Sequence, residues 1–391
     1  MKSITAHDAH TPDPHDGEHP LMFLARTVDR FFFRPIDPTT WGLIRISVGI
    51  VVLYVHLVYC IGLANYLGPD GWVLNKGWTD KPGEGGVLDF LRFGQTFMGP
   101  SSTWDDSQGE VLKGQTLWSI YYHVEDPVWI WVIHIIILVA MFLFTIGLGC
   151  SRVLSALVWI GALQYIQRVP SLLFGMDTMM NLALLFLMIS PCGAALSVDR
   201  WLKVRRERRR LGPAYVPQPP EPLVSANFAT RLMQISFCFI YLAAGTSKLL
   251  GTSWWNGTAP NRFLLNYSFA PFDVALYSQF IKYLADHRWM WEVGGAIGVV
   301  YTLFLELGFT FLVWNRRTRW FMVSCSILLH TMIALLMGLV TFSLIMMALV
   351  LAFVPPEVVR QWLQSASEQI RLLLSSRARE EAQKKTLALS R

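Results

Sequence analysis

The sequence predicts an all-α integral membrane protein with about eight transmembrane helices. Three observations lead there. Of the 391 residues, 53% are hydrophobic and only 15% are charged, with a mean hydropathy of +0.40. Several runs carry almost no charge over the roughly 18 residues or more that a crossing helix needs. The basic residues gather in the connections between those runs, the asymmetry expected of loops retained on the cytoplasmic side. That distribution, rather than the net charge of +6, decides against a nucleic-acid partner. The cysteines (Cys60, Cys150, Cys192, Cys238 and Cys325) lie in or beside apolar segments without CxxC spacing. Neither a disulfide framework nor a metal site is expected.

In chain order, residues 1–34 read as a disordered cytoplasmic N-terminus. Met1–Pro20 is polar, with His7, His10, His15 and His19 among Asp and Pro and no apolar signal-peptide core, so the first span acts as its own insertion signal. Pro38 and Thr39 or Thr40 suit the start of that span, 41–63, which carries Arg45 early and His56 late. The acidic, Gly- and Trp-rich stretch from Ala64 to Pro127 reads as an ordered outer loop. Spans follow at 128–149, 153–166 and 175–196. The strongest basic run, Asp199–Arg210, precedes a Pro-rich linker, Gly212–Pro222. Such a run is either a retained cytoplasmic loop or a contact for anionic lipid. Spans 228–250 and 291–314 come next. Trp320–Pro355 is too long for one crossing, and a break near Gly338 divides it into short spans at 320–337 and 339–355. Residues 35–355 therefore form one membrane domain. In 356–391, Val359, Trp362, Leu363, Ala366, Ile370 and Leu373 recur at helical spacing, which predicts an interfacial amphipathic tail. Eight crossings leave both termini in the cytoplasm.

Position along a span gives approximate depth, because a helix rises about 1.5 Å per residue. His56, His134, Asp177 and Lys248 fall at one level, near the outer ends of four different spans, while Glu306 and His330 lie deeper at depths compatible with a pair. Each has a plain structural account. A helix-end lysine snorkels to the headgroups, buried histidines bond carbonyls of neighbouring helices, and Asp177 complements the start of its helix. Convergence at one level favours a shared pocket, because intramembrane charges face a cavity or each other. In a dry pocket without a carboxylate, Lys248 would hold some neutral amine, a usable base; paired with Asp177 it would stay charged and suit anion binding. Both states remain open at this level.

Lys248 also sits in a motif. Tyr241-x-x-Ala244-Gly245-x-x-Lys248-Leu249, followed by Trp254-x-x-Gly257, resembles the core of the vitamin K-dependent gamma-carboxylase family and its bacterial relatives, the horizontally transferred transmembrane (HTTM) domain proteins. Pro35-Ile-Asp-Pro38 with Arg45 looks like that family's lead into its first helix, and Gly71-Trp72 like the start of its outer loop. Phe174-Gly175-x-Asp177 is similar to the fourth helix, and His330 with Leu339-Val-Thr-Phe342 to the late hairpin. The motifs keep their order over about residues 35–355. The resemblance implies that Lys248 is the base that deprotonates reduced vitamin K or another quinol, with His330 as a matching intramembrane histidine. Tyr241, Asp177, His56, His134, Glu306, Trp254 and Trp255 would line or support the pocket. The family then uses oxygen to form a base that takes a glutamate γ-proton, and carbon dioxide adds, a lyase-type carboxylation with epoxidation. Two departures bear on that activity. Ala194 stands where the family has a functional histidine, if Ser197-Val198-Asp199 aligns with the family triplet, and little sequence follows the membrane part. The alternative is a non-catalytic lipid-binding, transport-related or scaffold subunit with a protein partner.

Overall fold

A computed structural model describes residues 20–68, 119–124, 126–149, 152–169, 173–212, 214–265 and 275–389. The acidic outer-loop stretch 69–118, with Gly71-Trp72 inside it, lies outside the described residues. The described chain is built of helices joined by short turns. In order they are α1 (Pro20–Phe33), α2 (Thr39–Val58), α3 (Leu63–Leu67), α4 (Pro127–Ile146), α5 (Arg152–Arg168), α6 (Gly175–Ile189), α7 (Val198–Leu211) and α8 (Val224–Lys248). Then come α9 (Thr252–Trp255), α10 (Ala259–Leu265), α11 (Ala275–Asp286), α12 (Arg288–Leu312), α13 (Arg316–Met337), α14 (Val340–Val350) and α15 (Pro356–Leu389).

Among the described residues five helices are long and apolar enough to cross a membrane: Thr39–Leu67, Pro127–Ile146, Val224–Lys248, Arg288–Leu312 and Arg316–Met337. The first joins α2 to α3 through a 3-10 turn at Tyr59–Gly62. The segments expected as further spans form helices of 17, 15 and 11 residues, α5, α6 and α14. The chain bends by 114° between Val340–Phe353 and Pro356–Leu373.

Local sequence sets the boundaries. Asp126 caps α4 by accepting from Val128 N at 2.8 Å, and Gly147, at φ +72°, turns the chain out of its other end. Ser197 and Asn315 cap α7 and α13 in the same manner. Gly338, at φ +70°, makes the expected break before α14.

Lipid offers little hydrophobic drive for helices to associate, so close approach and polar bonds carry the packing. A Cβ on Gly42 would meet the Ala195 carbonyl at 2.5 Å, and one on Gly49 would meet Thr145 Oγ1 at 2.5 Å. These glycines let α2 lie against the turn after α6 and against α4. Fully buried Arg45 donates to the carbonyls of Cys192 (2.7 Å) and Leu196 (2.5 Å), closing the carbonyl end of α6 with a fixed cation. Trp41 Nε1 donates to Ala226 O and Thr230 Oγ1 of α8, and Gln234 of α8 donates to Ala352 O beyond α14.

One end of the bundle collects the basic segments. Ile36 pairs with Leu223 through two backbone bonds, Gly149 N donates to Asp199, and Arg360 of α15 forms an ion pair with Asp37. Trp320 packs edge-on against Trp362 of the tail, whose Val359 is buried. Residues 20–33 correct the expectation of disorder to residue 34. They form α1, whose Phe33 stacks on Phe228 and whose Phe31 carbonyl accepts from Asn227 and Arg231. Packing on α8 stabilises a helix that its exposed apolar face alone would not hold.

Gly42→Ala should lower the thermal unfolding midpoint in detergent, reflecting a loss of about 1–3 kcal/mol from overpacking. Gly294→Ala, where a Cβ meets nothing within 4 Å, should leave the midpoint unchanged or raised. Equal midpoints for the two variants would remove the close-approach account.

Candidate functional site

α8 and α12 cross closely where Gly245 faces Leu307 and Glu306; a Cβ there would lie 2.8 Å from Leu307 Cδ2 and 3.1 Å from Glu306 Cβ. One turn further along α8, Lys248 Nζ donates to Glu306 Oε1 at 2.7 Å. The ammonium also lies 5.4 Å from the centre of the Trp254 ring, a cation–π contact supplied by the turn into α9. The Lys248 side chain is 24% exposed and that of Glu306 9%. Glu306 Oε2 is buried and has no hydrogen-bond partner. A half-satisfied buried carboxylate is costly and invites a donor.

That donor has room to arrive. Lys248, Trp254 and Glu306 line a cavity of about 500 Å³ whose other walls come from α10, α11, α12, α13 and the start of α14. Most of its wall is apolar, including Phe263, Phe280, Trp291, Leu329, Met332 and Phe342, and Asn261, Tyr301 and Thr302 add polar atoms. Tyr301 uses its hydroxyl on the Cys325 carbonyl, and Asn261 Nδ2 donates to Trp291 O. Such a site, concave and apolar with a few placed polar groups, suits a small lipophilic ligand. Gly295 and Gly298 open the α12 wall, since a Cβ at either would crowd Asn261 or Pro260.

The remaining expected site residues divide. Tyr241 and His330 bond each other (2.9 Å), and the Tyr241 hydroxyl also meets Ser326 Oγ at 2.7 Å, while its ring stacks on Phe309. Both are buried behind the wall, and His330 Nδ1 has no partner. Depth suggested a Glu306–His330 pair. Instead Glu306 takes Lys248 and His330 takes Tyr241. Trp255 does not line the cavity; it is 73% exposed and donates to Leu249 O.

The single-level grouping of His56, His134, Asp177 and Lys248 does not form one pocket. Asp177 Oδ2 accepts from Phe174 N at 2.8 Å, so it caps its own helix, the reading its position near a helix start already allowed. His56 donates from Nδ1 to Val52 O, and its ring meets Tyr165 edge-on at 4.5 Å. His134 bonds Tyr165 through Nδ1 (2.6 Å) and Cys60 through Nε2 (3.1 Å). Depth fixes a level but not a direction around the helix, and these side chains point into a second cluster with Tyr59 and Tyr121. Ser326 and Tyr165 are partners that sequence reasoning missed. Ser326 lies four residues before His330 on the same helix face, a signal that could have found it, whereas neutral Tyr165 carries none. Among the described residues no three His, Cys, Asp or Glu side chains converge to hold a metal ion.

No protein-family model matches the sequence, and neither a curated protein nor a solved structure matches the chain.

Lys248→Met strands the Glu306 carboxylate and should cost about 1–3 kcal/mol, read as a lower unfolding midpoint. The double variant Lys248→Met/Glu306→Leu should recover most of that loss. Additive losses would show that the two side chains do not depend on each other.

Proposed function

We propose that this integral membrane protein is an eight-span member of the HTTM and gamma-carboxylase-like group that binds an isoprenoid quinol or similar lipid in the Lys248 cavity. On this reading α5, α6 and α14 cross alongside the five longer helices, with both termini cytoplasmic; the gathering of basic segments at one end supports that orientation. The observation that supports the ligand class is Glu306, which lines a largely apolar cavity with Lys248 and whose Oε2 is a buried acceptor without a donor. A hydroxylated head would donate to Glu306 Oε2 and accept from Lys248, while an isoprenoid chain would lie along Trp291, Met332 and Phe342.

The ion pair also bears on proton transfer. Across the 2.7 Å contact the ammonium proton can pass to Glu306 Oε1 once water is excluded, leaving a neutral amine. Lys248 is then the base for the ligand hydroxyl, and Glu306 holds the displaced proton. His330 and Tyr241 position the α13 wall rather than touch the ligand. A bound quinol would supply the oxygen-dependent chemistry of the carboxylase-like, lyase-type reaction. The second reading, a non-catalytic lipid-binding, transport-related or scaffold subunit, is favoured by the same contact, because an intact pair keeps Lys248 charged.

Purified protein given reduced vitamin K and oxygen should form epoxide, and Lys248→Ala should lower the rate by about two orders of magnitude or more, the range for losing a general base. Identical background turnover in both would defeat the enzymatic reading. Quinone binding that quenches Trp254 fluorescence and survives Lys248→Met unchanged would favour the non-catalytic one.

A further inference from the structure

Away from the Lys248 cavity, the second polar cluster joins a thiol to a base. Cys60 lies in the 3-10 turn that follows α2, and its Sγ is 3.1 Å from His134 Nε2. The other ring nitrogen of His134 meets the Tyr165 hydroxyl at 2.6 Å, and Tyr121 donates to that same hydroxyl at 3.2 Å. Tyr165 oxygen has two lone pairs, so it can accept from Tyr121 and from His134 Nδ1–H together. With the proton on Nδ1, the lone pair of Nε2 faces the thiol. His134 is fully buried, as is Tyr121, and Tyr165 is nearly so, which holds the ring in place. Nucleophile, base and orienting hydroxyl therefore stand in the relation that activates a thiol for covalent chemistry.

Among the described cysteines, exposure points to the same residue. Cys192, Cys238 and Cys325 are buried, whereas Cys60 is half-buried. The surface around it is apolar: Leu57, Val58 and Ile61 are 49%, 41% and 88% exposed. A reagent reaching this thiol passes an apolar surface, which suits an electrophilic carbon carried on an apolar chain. Trp131, 6.0 Å from the His134 ring and 40% exposed, flanks the approach with an amphipathic ring suited to a membrane boundary.

We propose that Cys60 is a nucleophilic thiol, with His134 as its base and Tyr165 as the residue that positions the base, and that it takes up a long-chain acyl group as a thioester. The donor is an activated acyl thioester. His134 Nε2 receives the Cys60 proton as sulfur attacks the acyl carbonyl carbon. The bond from that carbon to the donor sulfur then breaks, and the departing thiolate takes the proton back from His134. One thioester is exchanged for another, with no oxidant or reductant required. Ile61 and Leu57 give the new acyl chain an apolar surface to lie on, which joins this turn more firmly to the bilayer.

The test uses the full chain in detergent with an alkyne-tagged palmitoyl thioester at neutral pH, reading label by fluorescence and its release by neutral hydroxylamine. Wild type should carry one hydroxylamine-labile acyl group, Cys60→Ser none, and His134→Gln should label about tenfold more slowly or worse. Tyr165→Phe removes only a hydroxyl and keeps the fold testable if His134→Gln fails to assemble; it should slow both acylation and labelling of Cys60 by a small maleimide. Label that persists in Cys60→Ser, wild type that takes no acyl group, or a Tyr165→Phe protein that reacts at the wild-type rate would each overturn the proposal.

Discussion

The contact between Lys248 and Glu306 is the constraint around which the second half of the chain is arranged. It needs α8 and α12 to approach until a Cβ at position 245 would crowd Leu307 and Glu306. It needs the α8 terminus to deliver an ammonium to a carboxylate 58 residues away in sequence. In a bilayer an unpaired charge at this depth would be costly, so the pair and the close approach depend on each other. Yet the pair is incomplete. One carboxylate oxygen is satisfied and the other is buried without a hydrogen-bond partner. A purely structural ion pair would gain from a second donor; leaving that acceptor open suits a site whose partner comes from outside the chain.

The two ends of the bundle do different work. At one end backbone and side-chain bonds knit the N-terminal turn, the basic helix α7, the strap to Leu223 and the tail into a single layer, with Arg45 and Asp37 as its charged fastenings. At the other end the described buried polar groups separate into two clusters. Lys248 and Glu306 border an open cavity, while His134, Tyr165 and Tyr121 bond one another and the His56 ring packs edge-on against Tyr165. That division also explains why the two clusters differ in chemistry. The first is ionic and borders a cavity. The second is hydroxyl-rich, with a half-buried thiol, Cys60, at its edge.

Helix positions are legible in this sequence because apolar length, Pro38 and Gly338 mark them directly. Asp177 is equally local: it stands at the start of its helix, where it accepts from the Phe174 N–H. What depth along a span cannot supply is azimuth. His56 and Lys248 share a level and point to different neighbours, and His330 finds Tyr241 rather than Glu306 because of how α8, α12 and α13 are rotated. Gly245 is visible in the motif, but its cause, the Leu307 side chain across the helix crossing, is tertiary. α1 escapes a composition-based reading for a similar reason: its aromatic end is ordered by Phe228 and Arg231 of a helix nearly 200 residues away.

The most direct measurement is photocrosslinking with a quinone carrying a photoreactive group on its isoprenoid chain, followed by peptide mapping of the adducts. The account predicts adducts within 290–306 and 329–342, removed by excess unlabelled quinone and lost when Gly298→Leu fills the cavity wall. Adducts spread over the outward faces of α4 and α5, unaffected by competitor or by Gly298→Leu, would contradict it.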